Sequence, residues 1–173
     1  LVLFRPFEVH SRLVCLADGI KAPKEGRRMP GVKLLHQQSA SNTKPEYIMG
    51  HSLQAISLLV HSGNAQVAAV PLTSRIHEGL VFSNRDARTL LDKLVALLFS
   101  ITRAWDRKVL LVADAYYASG KVITPLLANG HQLLTRAKSN AVAYLPVPQP
   151  AHRGKGRPKI YGNKVRLKDL AQD

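Results

Sequence analysis

The sequence of 173 residues predicts a mixed α/β domain with the element order β-β-β-α-β-α-β. Two short apolar runs, residues 13–17 and 109–113, each stop at an aspartate. Between them lie two runs rich in aliphatic residues, separated by turn-forming residues, and then a long amphipathic stretch. These patterns are typical of buried strands, a hairpin and a core-facing helix.

The first strand is predicted in RLVCLADGI, residues 12–20, where five apolar residues end at Asp18. The following residues 21–47 contain Pro23, Pro30 and Pro45 and are too rich in proline for a helix. We therefore expect a basic connection leaving the strand end, whose cations are candidates for backbone phosphates. They are Lys21, Lys24, Arg27, Arg28, Lys33 and Lys44. A solvated polar loop is the alternative, and for any single lysine it is favoured.

The second and third strands are predicted at residues 48–60 and 65–76, joined by the turn-forming residues 61–64. A helix is expected over residues 86–102, where leucine and valine recur on one wide face. Ser83 or Asn84 is the expected cap of this helix. A crossover through the helix would bring the fourth strand back parallel to the first.

The fourth strand lies in KVLLVADAYYASG, residues 108–120, and ends at Asp114. Ser119 is a suitable N-cap for a helix over residues 121–129, Gly130 closes it, and residues 131–135 form the fifth strand. Tyr116 and Tyr117 follow Asp114 directly and either pack over the strand end or stack on a base, packing being favoured.

Two carboxylates meet at one sheet edge if the first and fourth strands are parallel neighbours. Two negative charges so near each other are energetically costly, unless a raised pKa or a divalent cation offsets their repulsion. Oxygen ligands favour Mg²⁺ or Mn²⁺, which also bind phosphates. Asp18 and Asp114 are therefore the candidate metal ligands, in an arrangement suited to phosphodiester chemistry.

Four motifs carry a family resemblance: ADGIKAPKEGRRMPGVKLLHQ (residues 17–37), NTKPEYIMGHS (42–52), VADAYYASGK (112–121) and TRAKSNAVAY (135–144). The sequence resembles the catalytic core of DDE-type bacterial insertion-sequence transposases, over nearly the whole chain. The resemblance implies a ribonuclease H-like mixed sheet, here truncated before the final catalytic helix. It also implies that Asp18 and Asp114 are the first two catalytic acids, whereas the family's third acid, a glutamate on a late helix, has no match.

The activity implied by the resemblance is metal-dependent DNA cleavage at the element ends, followed by transfer of the freed 3′-hydroxyl to target DNA. A homodimer in a full-length synaptic complex is consistent with the resemblance, although the sequence leaves the oligomeric state open. Further candidate DNA contacts fall in three places: the GHS stretch, the residues after the fifth strand and the RGKGRPK run. They are His51; Arg136, Lys138 and Asn140; and Arg153, Arg157 and Lys159. The RGKGRPK run is similar to a minor-groove hook, with general phosphate binding or a disordered linker as alternatives.

Composition favours a polyanionic partner, because 25 Lys and Arg oppose 11 Asp and Glu and give a net charge of +14. DNA is the leading candidate, since no apolar stretch is long enough to span a membrane.

The single cysteine, Cys15, excludes an intrachain disulfide and is expected to pack in the first strand. Seven histidines without clustering argue against zinc. The absence of a signal peptide and of cysteine pairs indicates the bacterial cytoplasm, with the nucleoid as the site of action.

The expected organisation has three parts: residues 1–10 as a linker or the end of an upstream element, residues 11–145 as the catalytic core, and residues 146–173 as the start of a basic Pro/Gly-rich insertion. Because the chain begins with Leu1, it is expected to be a fragment of something longer. Because neither Asp169 nor Asp173 resembles the family's third acid, the fragment is expected to be inactive alone. Two alternatives stay open. One is a ribonuclease H-like nuclease or resolvase without strand transfer, and the other is a non-catalytic, basic DNA-binding remnant.

Overall fold

The computed structural model describes residues 4–26, 28–37, 43, 45–62, 66–76, 88–137, 140–147, 156–157 and 159–170. The chain forms two compact units, Leu1–Thr135 and Arg136–Asp173. The first contains β1 (Arg5–Pro6), β2 (Glu8–Val9), β3 (Arg12–Pro23), β4 (Lys33–His36), β5 (Tyr47–Ser62), β6 (Gln66–Ile76), α1 (Leu90–Thr102), β7 (Val109–Ala113), α2 (Gly120–Ala128) and β8 (Gln132–Thr135). The second contains β9 (Val142–Tyr144), β10 (Lys164–Arg166) and α3 (Leu167–Leu170).

The first unit is built on an eight-stranded mixed sheet with the central order β1-β5-β3-β7-β8. β3, β5 and β6 are antiparallel neighbours, as predicted for the first three strands. β7 lies parallel to β3 on its other side, and β8 continues the parallel part of the sheet. The parallel pairing of the first and fourth predicted strands is therefore confirmed.

The core lies between this sheet and the two longer helices. Leu94, Leu97 and Leu98 of α1 are almost fully buried, together with Ile56 of β5 and Leu111 of β7. The recurrence of leucine at helical spacing explains why α1 packs on the sheet through one face. This burial fixes the relative positions of β3, β5 and β7, on which the site depends.

Cys15 packs in this core, as the sequence predicted, and has no exposed surface. Burial raises the pKa of its thiol to about 12. Because the thiolate is the reactive form, this cysteine is an apolar packing residue.

The structure corrects the expected length of the first strand. β3 continues beyond Asp18 to Pro23, and β4 forms inside the segment predicted as an irregular connection. Both pair with β5, whose 16 residues supply partners along this whole length. Gly50 permits the closest approach, because a Cβ there would lie 2.3 Å from the carbonyl oxygen of Ala22.

The boundaries of the other elements differ by a few residues. α1 begins at Leu90, not at residue 86, because Thr89 and Asp92 form a capping box. The suggested caps Ser83 and Asn84 lie outside the described residues, and His61 and Ser62 belong to β5 and not to the turn. The Ser119 cap of α2 is confirmed, and Gly130 follows that helix with a φ of 74°.

The two ends of the chain contain short elements that the sequence did not predict. β1 pairs with β5 and β2 pairs with β3, within the residues expected to be a linker. In the second unit β9 and β10 form an antiparallel pair, and the short helix α3 follows. The predicted domain boundaries after residues 10 and 145 stay predictions.

His131 is a buried histidine just before β8, and its Nδ1 accepts the Val109 backbone N–H at 3.1 Å. Burial, and then the nearby charges of Lys108 and Arg12, lower its pKa below the ordinary value of 6.5. The unfolded chain takes up a proton here as the pH falls through about 6.5, while the folded chain stays neutral. The contribution of neutral His131 to the free energy of unfolding is thus fully present above about pH 6.5 and is lost as the pH falls below that value.

We predict that His131→Asn reduces the loss of stability between pH 7.5 and pH 5.5, measured by urea denaturation. The asparagine oxygen accepts the same N–H but does not titrate. His61→Asn, at an exposed strand position, is the matched control and should keep the wild-type loss. An equal loss in His131→Asn and wild type would contradict the prediction.

Candidate functional site

Asp18 and Asp114, here called the acidic pair, occupy equivalent positions on two neighbouring strands. The parallel register pairs Ala17 of β3 with Ala113 of β7, and each aspartate is the next residue. Neighbouring strands lie about 4.8 Å apart, so the two backbones are close where the carboxylates emerge. Both side chains belong to exposed residues.

Asp114 ends β7 and caps a short 3-10 helix, Ala115–Tyr117. Its Oδ1 accepts the Tyr116 backbone N–H at 3.0 Å, and its carbonyl oxygen accepts the Thr135 hydroxyl at 2.7 Å. These contacts fix the carboxylate at the end of the strand.

Asp18 lies inside β3, where it pairs with Ala55 of β5. Its Oδ1 accepts the Gly19 backbone N–H at 2.7 Å. The parallel partner β7 stops at Ala113, so the sheet beyond Asp18 is open on that side. The expectation that the acid ends its strand is therefore wrong: β3 continues to Pro23, and only its parallel pairing with β7 stops at Ala17.

A cavity of about 450 Å³ opens beside the acidic pair. It is bounded by side chains from β3, β4, β5, the first residue of α1 and the 3-10 helix. Lys21, Lys33 and His36 line it with the two aspartates, so positive and negative groups face one space. Such a cavity can accommodate an anionic group and a cation together.

Tyr117 and Gln54 form a buried polar layer at this cavity, with exposed fractions of 2% and 3%. Gln54 Nε2 donates to the Leu90 carbonyl oxygen at 2.9 Å, linking β5 to the start of α1. Its Oε1 is buried without a partner among the described residues. The Tyr117 hydroxyl lies so close to β3 that a Cβ on Gly19 would be 3.4 Å from it.

The environment keeps Tyr117 protonated. Burial chiefly, and the charges of Asp114 and Asp18 in addition, raise the pKa of Tyr117 to about 12, against a side-chain hydrogen bond with Gln54 that lowers it. The sequence favoured packing for both Tyr116 and Tyr117; Tyr117 is buried, whereas Tyr116 has an exposed fraction of 50%. Sequence reasoning missed Gln54, although a lone glutamine in the apolar β5 run was a detectable signal.

The predicted phosphate-binding residues of the first unit are spread along its strands and loops. Lys21 lies in β3 and donates to the His36 carbonyl oxygen at 2.6 Å. Lys24 and Arg28 are exposed outside the strands. His51 lies in β5 and donates through Nε2 to the Pro30 carbonyl oxygen at 3.0 Å. Of these four, only Lys21 lines the cavity as described.

The remaining predicted contacts are in the second unit or outside the described residues. Arg136, Asn140, Arg157 and Lys159 are exposed residues of the second unit. Arg27, Lys44, Lys138 and Arg153 lie outside the part of the chain that the structure describes. The roles of all these residues stay predictions.

Within the described ranges, no group of three or more His, Cys, Asp or Glu residues is placed to hold a metal ion. The expected role of the acidic pair as metal ligands stays a prediction. None of the helices in the described part of the chain has the length and apolar character needed to cross a membrane.

Comparison with known proteins gives one finding about ancestry. Neither the curated proteins nor the solved structures contain a significant match to this sequence. A family model described as DDE superfamily endonuclease matches residues 11–172, which include both members of the acidic pair. The chain therefore belongs to the DDE superfamily endonuclease family and is a DDE-type transposase-like protein.

Proposed function

We propose that this chain is the catalytic core of an insertion-sequence transposase that cleaves DNA at element ends and transfers the strand to a target. The observation that carries the proposal is the register of β3 and β7, which sets Asp18 and Asp114 side by side next to a cavity. Family membership supports an endonuclease with a DNA substrate. Strand transfer, rather than hydrolysis alone, is the further step of the proposal.

The fold we propose for the first unit is ribonuclease H-like. The elements β3, β5, β6, α1, β7, α2 and β8 follow the order β-β-β-α-β-α-β. Three antiparallel strands followed by two parallel ones support this proposal. β1, β2 and β4 are short additions at the sheet.

The acidic pair fits a hard divalent cation, which we propose to be Mg²⁺ or Mn²⁺. Each carboxylate has one oxygen held by a backbone N–H, so its orientation is set before a cation binds. The donors are oxygens on exposed residues, and such a site suits a cation that retains several waters. Bound there, the cation would offset charge on the scissile phosphate and lower the pKa of a water.

The chain's own residues would orient the substrate in this mechanism. Asp18 and Asp114 hold the cation and do not transfer protons. Lys21, also at the cavity, offers a positive charge to a phosphate oxygen. Tyr117 stays protonated and keeps the polar layer neutral beneath the two carboxylates.

A third carboxylate is the missing part of the proposed machinery. After Asp114 the acidic residues are Asp169 and Asp173, and no glutamate follows. Asp169 is exposed on α3 in the second unit, and Asp173 lies outside the described residues. We propose that neither replaces the family's glutamate and that these 173 residues bind DNA without cleaving it. The second candidate is a non-catalytic DNA-binding protein, which the net charge of +14 supports.

We predict that the purified chain shows no nicking of an end-bearing duplex with Mg²⁺ or Mn²⁺, yet binds Mn²⁺ weakly. Loss of one ligand misplaces the attacking oxygen, and an error of about 1 Å can cost about a hundredfold in rate. Electron paramagnetic resonance of free Mn²⁺ should show binding that Asp114→Asn abolishes. Asparagine still caps the 3-10 helix, so the fold is retained.

The control for this experiment is Asp106→Asn, which removes an exposed aspartate outside the cavity. This variant should bind Mn²⁺ like the wild type. Cleavage by the purified chain that disappears in Asp114→Asn would show that a third acid is unnecessary or is supplied by Asp169 or Asp173. That result would reject the proposed inactivity.

We also predict that duplex DNA binding weakens steeply with salt, as the net charge of +14 suggests. The log–log slope is about 0.9 for each phosphate that the protein neutralises. Neutralising Arg153, Arg157 and Lys159 together should flatten the slope by about two to three, measured by anisotropy titrations at several salt concentrations.

The charge-matched control for the salt experiment replaces Arg5, Arg75 and Arg103, which are exposed in the first unit. It should leave the slope nearly at the wild-type value. Affinity that does not change between low and moderate salt would contradict electrostatic binding. Equal slopes in the two triple variants would contradict a phosphate contact at residues 153–159.

A further inference from the structure

The second unit carries a concentration of positive charge that the acidic pair does not use. Residues 136–173 contain nine Lys and Arg against two Asp, a net charge of +7. Half of the charge of the chain is therefore carried by 38 residues. No acidic residue occurs between Asp114 and Asp169, so the β9–β10 hairpin lies in an uninterrupted basic segment. Its partner should be an anion.

The hairpin presents one face that carries an aromatic, an aliphatic and two cationic side chains. The register pairs Tyr144 with Lys164 and Val142 with Arg166. Residues directly opposite in an antiparallel pair share a face of the sheet, and residues two apart on one strand do as well. Exposure follows this pattern, since these four residues are exposed and Ala143 and Val165 between them are partly covered.

A second tyrosine extends the aromatic part of this surface. The rings of Tyr144 and Tyr161 lie 4.9 Å apart between centroids, with an angle of 38° between their planes. Both remain accessible, with exposed fractions of 48% and 65%. Lys159 is exposed two residues before Tyr161. We call these two rings with Lys159, Lys164 and Arg166 the tyrosine platform.

Backbone contacts hold the platform in shape. Leu145 N–H donates to the Asn163 carbonyl oxygen at 2.9 Å, and Gly162 N–H donates to the Leu145 carbonyl oxygen at 3.1 Å. The approach requires glycine, because a Cβ on Gly162 would lie 2.4 Å from the Leu145 oxygen. The segment that carries Tyr161 is thereby tied directly to the end of β9, so the rings are positioned before a ligand binds.

Packing does not account for this arrangement. No described residue of the second unit is buried, and Leu145 and Ile160 are more than half exposed. Rings that served as a core would be covered by these neighbours. An exposed aromatic surface with a polar rim instead indicates a binding site.

We propose that the tyrosine platform binds unpaired nucleic acid by stacking bases on its tyrosine rings. Cations alone would bind any backbone, paired or not. In a duplex the faces of the bases are stacked on one another, so a ring can stack only on a base that is unpaired. Aromatic faces with flanking lysines and arginine therefore select single strands. The proposal shares with the proposed function the assumption that DNA is the partner.

The test uses the 173-residue chain with a fluorescent 12-nucleotide oligothymidylate, a duplex of the same length, and an oligomer of abasic sites. Tyr161→Leu and Tyr144→Leu should each weaken binding to oligothymidylate about tenfold and change duplex binding less than twofold. Tyr161→Phe should bind like the wild type because its ring still stacks. The wild type should bind the abasic oligomer at least tenfold more weakly than oligothymidylate.

Two further variants separate stacking from charge. Lys164→Gln should lower the log–log salt slope for oligothymidylate by about 0.7, whereas the tyrosine variants should leave it unchanged. Tyr47→Leu, at a similarly exposed tyrosine of the first unit, is the matched control and should bind like the wild type.

Any of three outcomes would contradict the proposed platform. The first is equal affinity of the wild type for abasic and normal oligomers, and the second is wild-type affinity in both leucine variants. The third is stronger binding of polyglutamate than of oligothymidylate, which would indicate an acidic peptide partner. The abasic comparison needs no substitution and therefore does not depend on how a variant folds. Steep salt dependence of duplex binding together with any of these outcomes would leave the proposed function intact and remove only the platform.

Discussion

The parallel pairing of β3 with β7 is the constraint on which the site depends. Asp18 and Asp114 are 96 positions apart in the sequence and become neighbours because Ala17 pairs with Ala113. A slip of one residue would turn one carboxylate to the other face of the sheet. The burial of Cys15 and Leu111 in the core that also contains α1 opposes such a slip, because these side chains would have to leave the core. Packing of apolar side chains thus determines where two charges lie.

Two carboxylates beside one cavity repel each other, and neighbouring groups of the chain offset this repulsion. Each aspartate accepts a backbone N–H, which fixes the orientation of its carboxylate. The group beneath them, Tyr117, is a phenol whose raised pKa keeps it neutral, so burial adds no third negative charge. Exposure to solvent and the lysines at the cavity also offset the repulsion between the two carboxylates.

The sequence predicted the elements whose signals are local. The apolar run 109–113, the Ser119 cap and Gly130 each depend on neighbouring residues, and the structure has β7 and α2 there. The extension of β3 and the existence of β4 depend on pairing with β5, which no short window of sequence contains. Proline in residues 21–47 correctly argued against a helix, but it does not exclude strands that pair on one side. Gln54 was missed because its partner Leu90 is 36 positions away.

The two units divide the positive charge equally but not at equal density. Each carries +7, the first over 135 residues and the second over 38. In the first unit, two lysines and two aspartates line one cavity. In the second unit the hairpin surface lacks acids altogether and presents aromatic faces instead. Dense positive charge gives affinity for any nucleic acid. Exposed ring faces add a preference for unpaired over paired bases, which charge alone cannot provide. The chemistry and the discrimination of the DNA state can therefore reside in different parts of one short chain.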